Sequence, residues 1–466
     1  MTFKPWGRSQ GGDAMTKHPG QSTTPTESLC PSCLARIPAE RRHEGDEAVL
    51  VKRCPTHGEF RTPVWRGLPS IDGWSRPKAL VQASVDHPGT ERGCPFDCGI
   101  CPEHRQQSCT VLIEVTGRCN LACPVCFADA GPQAGSDPSL GTIATWYRTA
   151  LRKSGPHNIV QLSGGEPTVR DDLPAIVAMG RELGFPFIQV NTNGLKLAAD
   201  RGYAGELQRA GLFSVFLQFD GTEERIYRAI RGGGLLAEKL KAVEHCAAAG
   251  LGVVLVPTIV PGINTGNVGA ILKLALELGP AVRGVHFQPA SYFGRHPEPP
   301  AGDMRFTLPD LMRAIEEQTD GLMMVEHFRP PGCEHPLCSF HGNFLRLPNG
   351  GVRPLTGHSP SCCCGTPEPE NKGTGRAVSF VTRQWSAPMA ADTVGEKDSL
   401  DAFLEIHRTN TLAVSAMVFQ DVWNLDLERV QECCIHVVAP DGRMIPFCLY
   451  NLTSATGKPL YRRSHG

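Results

Sequence analysis

The stretch EVTGRCNLACPVCFADAG, Glu114 to Gly131, puts Cys119, Cys123 and Cys126 on one short loop in the pattern C-x3-C-x2-C. A structural zinc site takes four protein ligands, and so does an electron-transfer iron–sulfur cluster. Three thiolates on a four-iron cube leave one iron without a protein ligand. That open position can chelate the amino and carboxylate groups of an amino acid. The residues just before the loop, TVLIEVT (Thr110 to Thr116), form a short apolar run that reads as a β-strand. The cysteines therefore leave a strand at its C-terminal end.

Working outward, five more strand candidates follow: NIVQL from Asn158, FIQVN from Phe187, FSVFLQF from Phe213, GVVLVPT from Gly252 and GVHFQP from Gly284. They lack strict alternation, as strands of a parallel sheet buried on both faces do. Between them lie amphipathic stretches such as TIATWYRTALRKSG, GLLAEKLKAVEHCAAAG and NVGAILKLALELGP, with glycine past the last apolar position, where a helix C-cap favours φ > 0. Six β/α units in succession predict an α/β fold, a parallel sheet curled into a partial (β/α)6 barrel with its chemistry at the C-terminal strand ends. Cys246 follows Leu236, Leu240 and Val243 on one helical face and reads as packing.

The second predicted strand ends in LSGGEPT, Leu162 to Thr168. Its glycines permit close backbone approach, and Glu166 offers an acceptor for a cationic ammonium. With Phe127 beside the last cysteine, the two motifs together resemble the radical S-adenosylmethionine (SAM) superfamily. In that resemblance Cys119, Cys123 and Cys126 hold a [4Fe–4S] cluster with SAM as the fourth ligand. Ser163, Gly164, Gly165, Glu166 and Pro167 correspond to the segment bordering the methionyl part of SAM. At other strand ends Asn193, Gln218, Asp220 and Thr258 are candidates for SAM or substrate contacts. Each serves equally as a cap or turn residue, and Asp220 alternatively N-caps the stretch GTEERIYRAI.

The chain holds 19 cysteines, mostly at short spacings, a usage that favours metal ligation over disulfides. Cys30, Cys33 and Cys54, with His57 or a cysteine from elsewhere, suggest a zinc-ribbon or rubredoxin-like knuckle with mononuclear zinc or iron. A structural zinc is the preferred reading. Cys94, Cys98, Cys101 and Cys109 suffice for a complete cluster or a closed zinc site, and sulfur-only ligation does not separate the two. Near the C-terminus CSFHGNFLRLPNGGVRPLT and CIHVVAPDGRMIPFC read as hairpins with tight turns. The second resembles the cysteine-flanked hairpin of auxiliary-cluster domains in radical SAM enzymes; the first lacks the closing cysteine. Cys333, Cys338, Cys434 and Cys448 are the expected ligands of a further [4Fe–4S] cluster, with some of the run Cys362 to Cys364 spare or serving another site. The expected organisation is a disordered tail over 1–28, a cysteine-rich domain over 29–90, a radical SAM core over 91–301 and an auxiliary-cluster domain over 302–466.

The motif order resembles the class D radical SAM methyltransferases of pterin biosynthesis and the related tetraether lipid synthases. That resemblance implies reductive cleavage of SAM to a 5′-deoxyadenosyl radical, hydrogen abstraction from an unactivated C–H, and C–C bond formation. The methyltransferase branch, with a folate-like methyl donor, is placed ahead of the coupling of lipid alkyl chains. It further implies one or two auxiliary [4Fe–4S] clusters and a reductant such as a flavodoxin or ferredoxin. A non-catalytic multi-metal electron carrier is the remote alternative, since such a protein has no need of a SAM pocket. A formal net charge of −1 and 7% aromatics argue against nucleic acid as a partner. With no apolar stretch of spanning length, the chain reads as cytoplasmic, with peripheral membrane contact if the substrate is a lipid.

Overall fold

The computed structural model describes residues 22–76, 91–132, 135–155, 158–296, 304–356, 382, 384–387 and 406–462. Four strands open it: β1 (Thr23–Leu29), β2 (Arg36–Glu44), β3 (Glu47–Cys54) and β4 (Gly58–Arg66), paired in sequence order as an antiparallel sheet. Strand β1 corrects the expectation of a disordered tail through residue 28. TTPTES has no apolar face, but its threonines suit extended backbone, and an edge strand bonded only to β2 tolerates Pro25. Tertiary partners complete it: Thr26 Oγ1 donates to Asp426 Oδ1 at 2.7 Å and Ser28 Oγ to the Leu425 carbonyl at 2.6 Å. Arg41 also reaches across to Asp426 and Glu428, both at 2.6 Å, tying the small sheet to the C-terminal residues.

The six predicted barrel strands are present, with ends shifted by a residue or two. β5 (Thr110–Thr116), β6 (Ile159–Gly164), β7 (Phe187–Thr192), β8 (Ser214–Gln218), β9 (Gly252–Val256) and, after the short β10 (Thr258–Ile259), β11 (Val282–Pro289) lie side by side and parallel. Helices α1 (Leu140–Ser154), α2 (Leu173–Glu182), α3 (Leu195–Ala199), α4 (Arg201–Arg209), α5 (Glu224–Arg231), α6 (Leu236–Ala248) and α7 (Val268–Glu277) alternate with them. Helix α1 starts on a Ser139 cap that accepts the Thr142 N–H and stops at Gly155, φ 76°. Val111, Ile113, Leu162, Val190, Leu217 and Leu255 belong to one buried core with helix residues such as Ile176, Leu207 and Ile271. Cys246 belongs to that core and is fully buried, as its helical spacing implies.

Alternate strand residues, among them Gln161, Ser163, Asn191, Gln218 and His286, line a cavity of about 2280 Å³ inside the curved sheet. The chain beyond residue 302 extends this sheet. β14 (Thr411–Met417) adds in parallel to β11, and β15 (Ile435–Val438) adds in parallel to β5. The two expected hairpins form: β12 (Ser339–Arg346) with β13 (Val352–Pro354) beyond β14, and β15 with β16 (Met444–Pro446) beyond β5. The described C-terminal strands thus sit on both edges of the barrel instead of building a sheet of their own. Cys362 to Cys364 lie outside the described residues. No helix among the described residues is long and apolar enough to cross a membrane.

His286 on β11 is buried, its Nδ1 2.9 Å from Ser415 Oγ of β14, and burial pushes its pKa down to about 4. The unfolded chain takes up that proton near 6.5, so between those values the unfolded state binds more protons and stability falls as pH drops. His286→Gln is expected to remove up to about 3 kcal/mol of this acid-side loss. Unfolding midpoints at pH 7.5 and 5, wild type against variant, check it; parallel pH dependence in the two proteins contradicts it.

Candidate active site

Cys119, Cys123 and Cys126 all line the cavity at the C-terminal end of β5. Their loop has no regular structure of its own, so its backbone polar groups need partners from elsewhere. The Cys119 N–H donates to the Gly131 carbonyl at 3.1 Å, closing the loop on itself. Cys126 and Arg295 exchange a pair of backbone hydrogen bonds, both 2.9 Å. The Arg295 side chain donates to the carbonyls of Cys123 at 2.7 Å and Ala130 at 2.9 Å, and pairs with Asp129 at 3.1 Å. Gly294, at φ +65°, lies so close that a Cβ there would sit 2.4 Å from the Cys126 carbonyl oxygen. Arg231 donates to the Val125 carbonyl at 3.2 Å.

Neither Arg231 nor Arg295 was found by sequence reasoning. Each is an ordinary arginine in a local window, and its target is a backbone carbonyl more than a hundred residues away.

The LSGGEPT segment explains itself by the same contacts. Gly164 and Gly165 lie against the cysteine loop: a Cβ on either would come within 2.1 Å of the Thr116 or Arg118 carbonyl oxygen. The Gly165 and Glu166 N–H groups donate to those two carbonyls at 2.8 Å. The glycines therefore permit close approach to the protein's own loop. Glu166 is 1% exposed. Its Oε1 accepts from Thr168 N, Thr168 Oγ1 and Thr192 Oγ1, at 3.1, 2.6 and 2.6 Å, and its Oε2 from the Asn193 N–H at 2.6 Å. With about four lone-pair sites on a carboxylate, Oε2 keeps acceptor capacity toward the cavity that Glu166 lines.

The remaining candidates divide. Phe127, Ser163, Asn193, Gln218 and Thr258 line the cavity. Asn193 Nδ2 donates to Asn120 Oδ1 at 2.7 Å, tying β7 to the cysteine loop, and Lys239 donates to Gln218 Oε1 at 3.3 Å. Burial holds the Lys239 ammonium down to about 8. Pro167 is buried at the start of a single 3₁₀ turn and does not line the cavity.

Asp220 departs from both readings made of it. It is fully buried, absent from the cavity wall, and helix α5 starts from Glu223 instead. Its carboxylate is taken by Arg231, at 2.6 Å to Nε and 2.8 Å to Nη2, and by the Thr258 N–H at 3.0 Å. A buried charge needs a partner, and Arg231 provides it. Asp220 thus positions the arginine that holds the cysteine loop.

Burial pushes the Cys119 thiol up to about 12, and Glu166 and the other two cysteines add to the rise. Cys123 rises for the same first reason, opposed by Arg231. Thiols crowded in this way become thiolates only against a bound cation. The donor set fits a metal cluster.

The other cysteines regroup. Cys30, Cys33, Cys54 and His57 come together as expected: Cys30 and Cys54 Sγ lie 3.5 and 3.4 Å from His57 Nδ1, and Cys33 and Cys54 sulfurs are 4.0 Å apart. A tetrahedral zinc with its usual bond lengths needs edges of about 3.6 Å for S–N and 3.8 Å for S–S. The Cys54 thiol is held down to about 6, chiefly by its hydrogen bond with His57. In contrast, the expected set of Cys94, Cys98, Cys101 and Cys109 does not hold together. Cys109 lies 3.0 Å from Cys434, because β15 pairs with β5 and sets Ile435 opposite Thr110. Nor do Cys333, Cys338, Cys434 and Cys448 form one set: Cys333 sides with Cys109 and Cys434, while Cys338 lies close enough to Cys433 and Cys448 to add to the rise that burial imposes on both thiols. Cys98 is raised foremost by its hydrogen bond with Cys94, with Cys101 and Cys433 nearby.

Residues 113–275 match the radical SAM superfamily, and residues 23–66 match the HMPTM N-terminal zinc ribbon domain. A 7,8-dihydro-6-hydroxymethylpterin dimethyltransferase of Methanocaldococcus jannaschii is 34% identical, covering 91% of this chain and 93% of its own length. The chain belongs to the radical SAM superfamily. Within it, the chain resembles the class D methyltransferases. A probable GTP 3′,8-cyclase of Methanothermobacter thermautotrophicus is 30% identical over 38% of this chain and 56% of its own. Streptococcus suis SuiB bound to S-adenosylmethionine aligns at a TM-score of 0.38 and 15% identity, over 46% of this chain and 48% of its own. As a radical SAM enzyme the protein uses a [4Fe–4S] cluster and SAM, which together supply one-electron cleavage of a carbon–sulfur bond.

Gly165→Ala is expected to push Arg118 and the cysteine loop out of place and to cut 5′-deoxyadenosine formation by about 10²-fold. Equal rates in variant and wild type at equal iron content contradict the contact. A strong chelator should strip one zinc per chain through the exposed edge formed by Cys33 and His57, with loss of the β1–β4 sheet's hydrogen-exchange protection. Zinc removal that leaves protection intact contradicts a structural role.

Proposed function

We propose that this radical SAM enzyme transfers a methyl group derived from a folate-like donor to an unactivated carbon of a pterin-like heterocycle, forming a carbon–carbon bond. The observation that carries the reading is likeness to a named pterin dimethyltransferase along nearly the whole of both chains. The cavity supports it. Gln161, Asn191, Gln218, His286, Gln288 and Asn343 present hydrogen-bonding groups along its length. A pterin ring carries matching donors and acceptors. Alkyl chains would leave many of these groups unpaired, at about 1–3 kcal/mol for each one buried, which weighs against coupling of lipid chains.

In this reading Cys119, Cys123 and Cys126 hold the SAM-binding cluster. Ser163, Gly164, Gly165, Asn193, Gln218 and Thr258 face SAM, and Glu166 Oε2 accepts from its ammonium. The Phe127 ring stands beside the last cysteine, against Phe447 at 5.6 Å between centroids. Cys30, Cys33, Cys54 and His57 hold a structural zinc. The remaining cysteines hold at least one auxiliary iron–sulfur centre, fed by a flavodoxin- or ferredoxin-type reductant.

The test uses anaerobically reconstituted protein with dithionite, SAM, a reduced folate carrying a one-carbon group as the methyl donor, and a reduced hydroxymethylpterin. Wild type is expected to yield 5′-deoxyadenosine and a pterin heavier by one or two methyl groups. Cys123→Ala should abolish both while keeping its zinc. Undiminished 5′-deoxyadenosine from Cys123→Ala would sink the assignment of the loop. Deoxyadenosine without methylated pterin would sink the substrate.

A further inference from the structure

We propose that Cys109, Cys333 and Cys434, with the Glu334 carboxylate as an oxygen donor, hold a thiolate-bound iron centre at the floor of the barrel, opposite the Cys119 loop. The proposal deepens the reading of auxiliary centres given above by naming the ligand set, its non-sulfur donor and its place.

The pairing of strands creates the site. Cys109 immediately precedes β5 and Cys434 immediately precedes β15, and the parallel register of those two strands holds the cysteines side by side. The Cys109 N–H donates to the Cys434 carbonyl at 2.8 Å, and their sulfurs stand 3.0 Å apart. Both residues are buried. A carboxylate oxygen of Glu334 joins them, so that the two sulfurs and this oxygen all lie within 4.8 Å of one another. Cys333 packs on the same cluster, and its carbonyl accepts from Gln106 Nε2 at 3.2 Å.

A disulfide between Cys109 and Cys434 would leave the Glu334 carboxylate and Cys333, which converge on the same two sulfurs, without a role. A cation gives all four groups one partner. Three sulfurs and one oxygen suit iron or zinc by softness. Iron is favoured because Cys109, Cys333 and Glu334 line the cavity that Cys119, Cys123 and Cys126 also line. The seven residues of β5, at about 3.3 Å each, set the two sulfur sites roughly 20 Å apart. One-electron chemistry at the upper end has use for a redox-active ion at the lower.

The experiment starts from the full chain carrying Cys119→Ala, Cys123→Ala and Cys126→Ala, purified and reconstituted anaerobically with iron and sulfide. Iron, sulfide and zinc per chain are measured, with electron paramagnetic resonance of the dithionite-reduced protein. Adding Cys109→Ser and Cys434→Ser is expected to lower iron per chain and remove one resonance signal while zinc in the ribbon stays constant, a control for folding. Unchanged iron and spectrum overturn the proposal, as does a Cys109–Cys434 disulfide in the anaerobic parent. Should the double serine variant lose zinc and fail to fold, Glu334→Gln decides: a shifted spectrum supports the carboxylate ligand, and an identical one overturns it. Failure of the radical SAM reading has a different signature, absence of 5′-deoxyadenosine from wild type while the floor iron is retained.

Discussion

The site depends on backbone pressed against backbone. The cysteine loop cannot satisfy its own carbonyls, and Gly165 and Glu166 after β6, Arg231 at the end of α5 and Arg295 in the loop after β11 satisfy them. Two glycines make this possible, because any side chain at 164 or 165 would occupy the space of a carbonyl oxygen. Asp220 belongs to the same constraint at one remove, holding Arg231 in a fully buried pair. The three sulfurs are therefore held by a frame that involves most of the barrel. Preorganisation of this kind would suit a cluster held by three thiolates.

A partial barrel has two edges, and exposed edges invite wrong pairing. Here the chain beyond residue 302 covers both, with β14 on β11 and β15 on β5, each followed outward by an antiparallel strand. Closing the edges leaves the interior as one long cavity with sulfur at each end. The same covering brings buried polar groups into the wall, notably His286 against Ser415, which stay neutral at physiological pH and make the cavity hydrogen-bonding in character.

The small N-terminal sheet is joined to this assembly by charge and hydrogen bonds. Lys52 of β3, almost wholly buried, donates to Ser28 Oγ, the Leu29 carbonyl and the Val422 carbonyl, so a single ammonium ties β3 to the end of β1 and to the turn at Val422. The knuckle's four convergent donors lie at the far end of β3 and in the turns around it, where the loop from Cys54 to His57 brings two of them together locally. Local spacing was sufficient to read this site, since its four donors come from two short segments.

What could be read from the chain alone was whatever local spacing encodes. Apolar runs and glycine stops marked the six barrel strands and helices α1, α6 and α7, and the spacing of Cys119, Cys123 and Cys126 with the glycines of LSGGEPT marked the radical SAM core. Tertiary structure decided which distant groups meet. Strand β1 has no apolar signature and exists through its partners. Cys109 belongs with Cys434 and not with Cys94, Cys98 and Cys101, because strand pairing outranks proximity in sequence. Asp220 serves Arg231, and Arg231 and Arg295 serve carbonyls far along the chain. A hydrogen bond to a remote backbone carbonyl leaves no trace in sequence spacing, and a parallel register is set only when two strands dock.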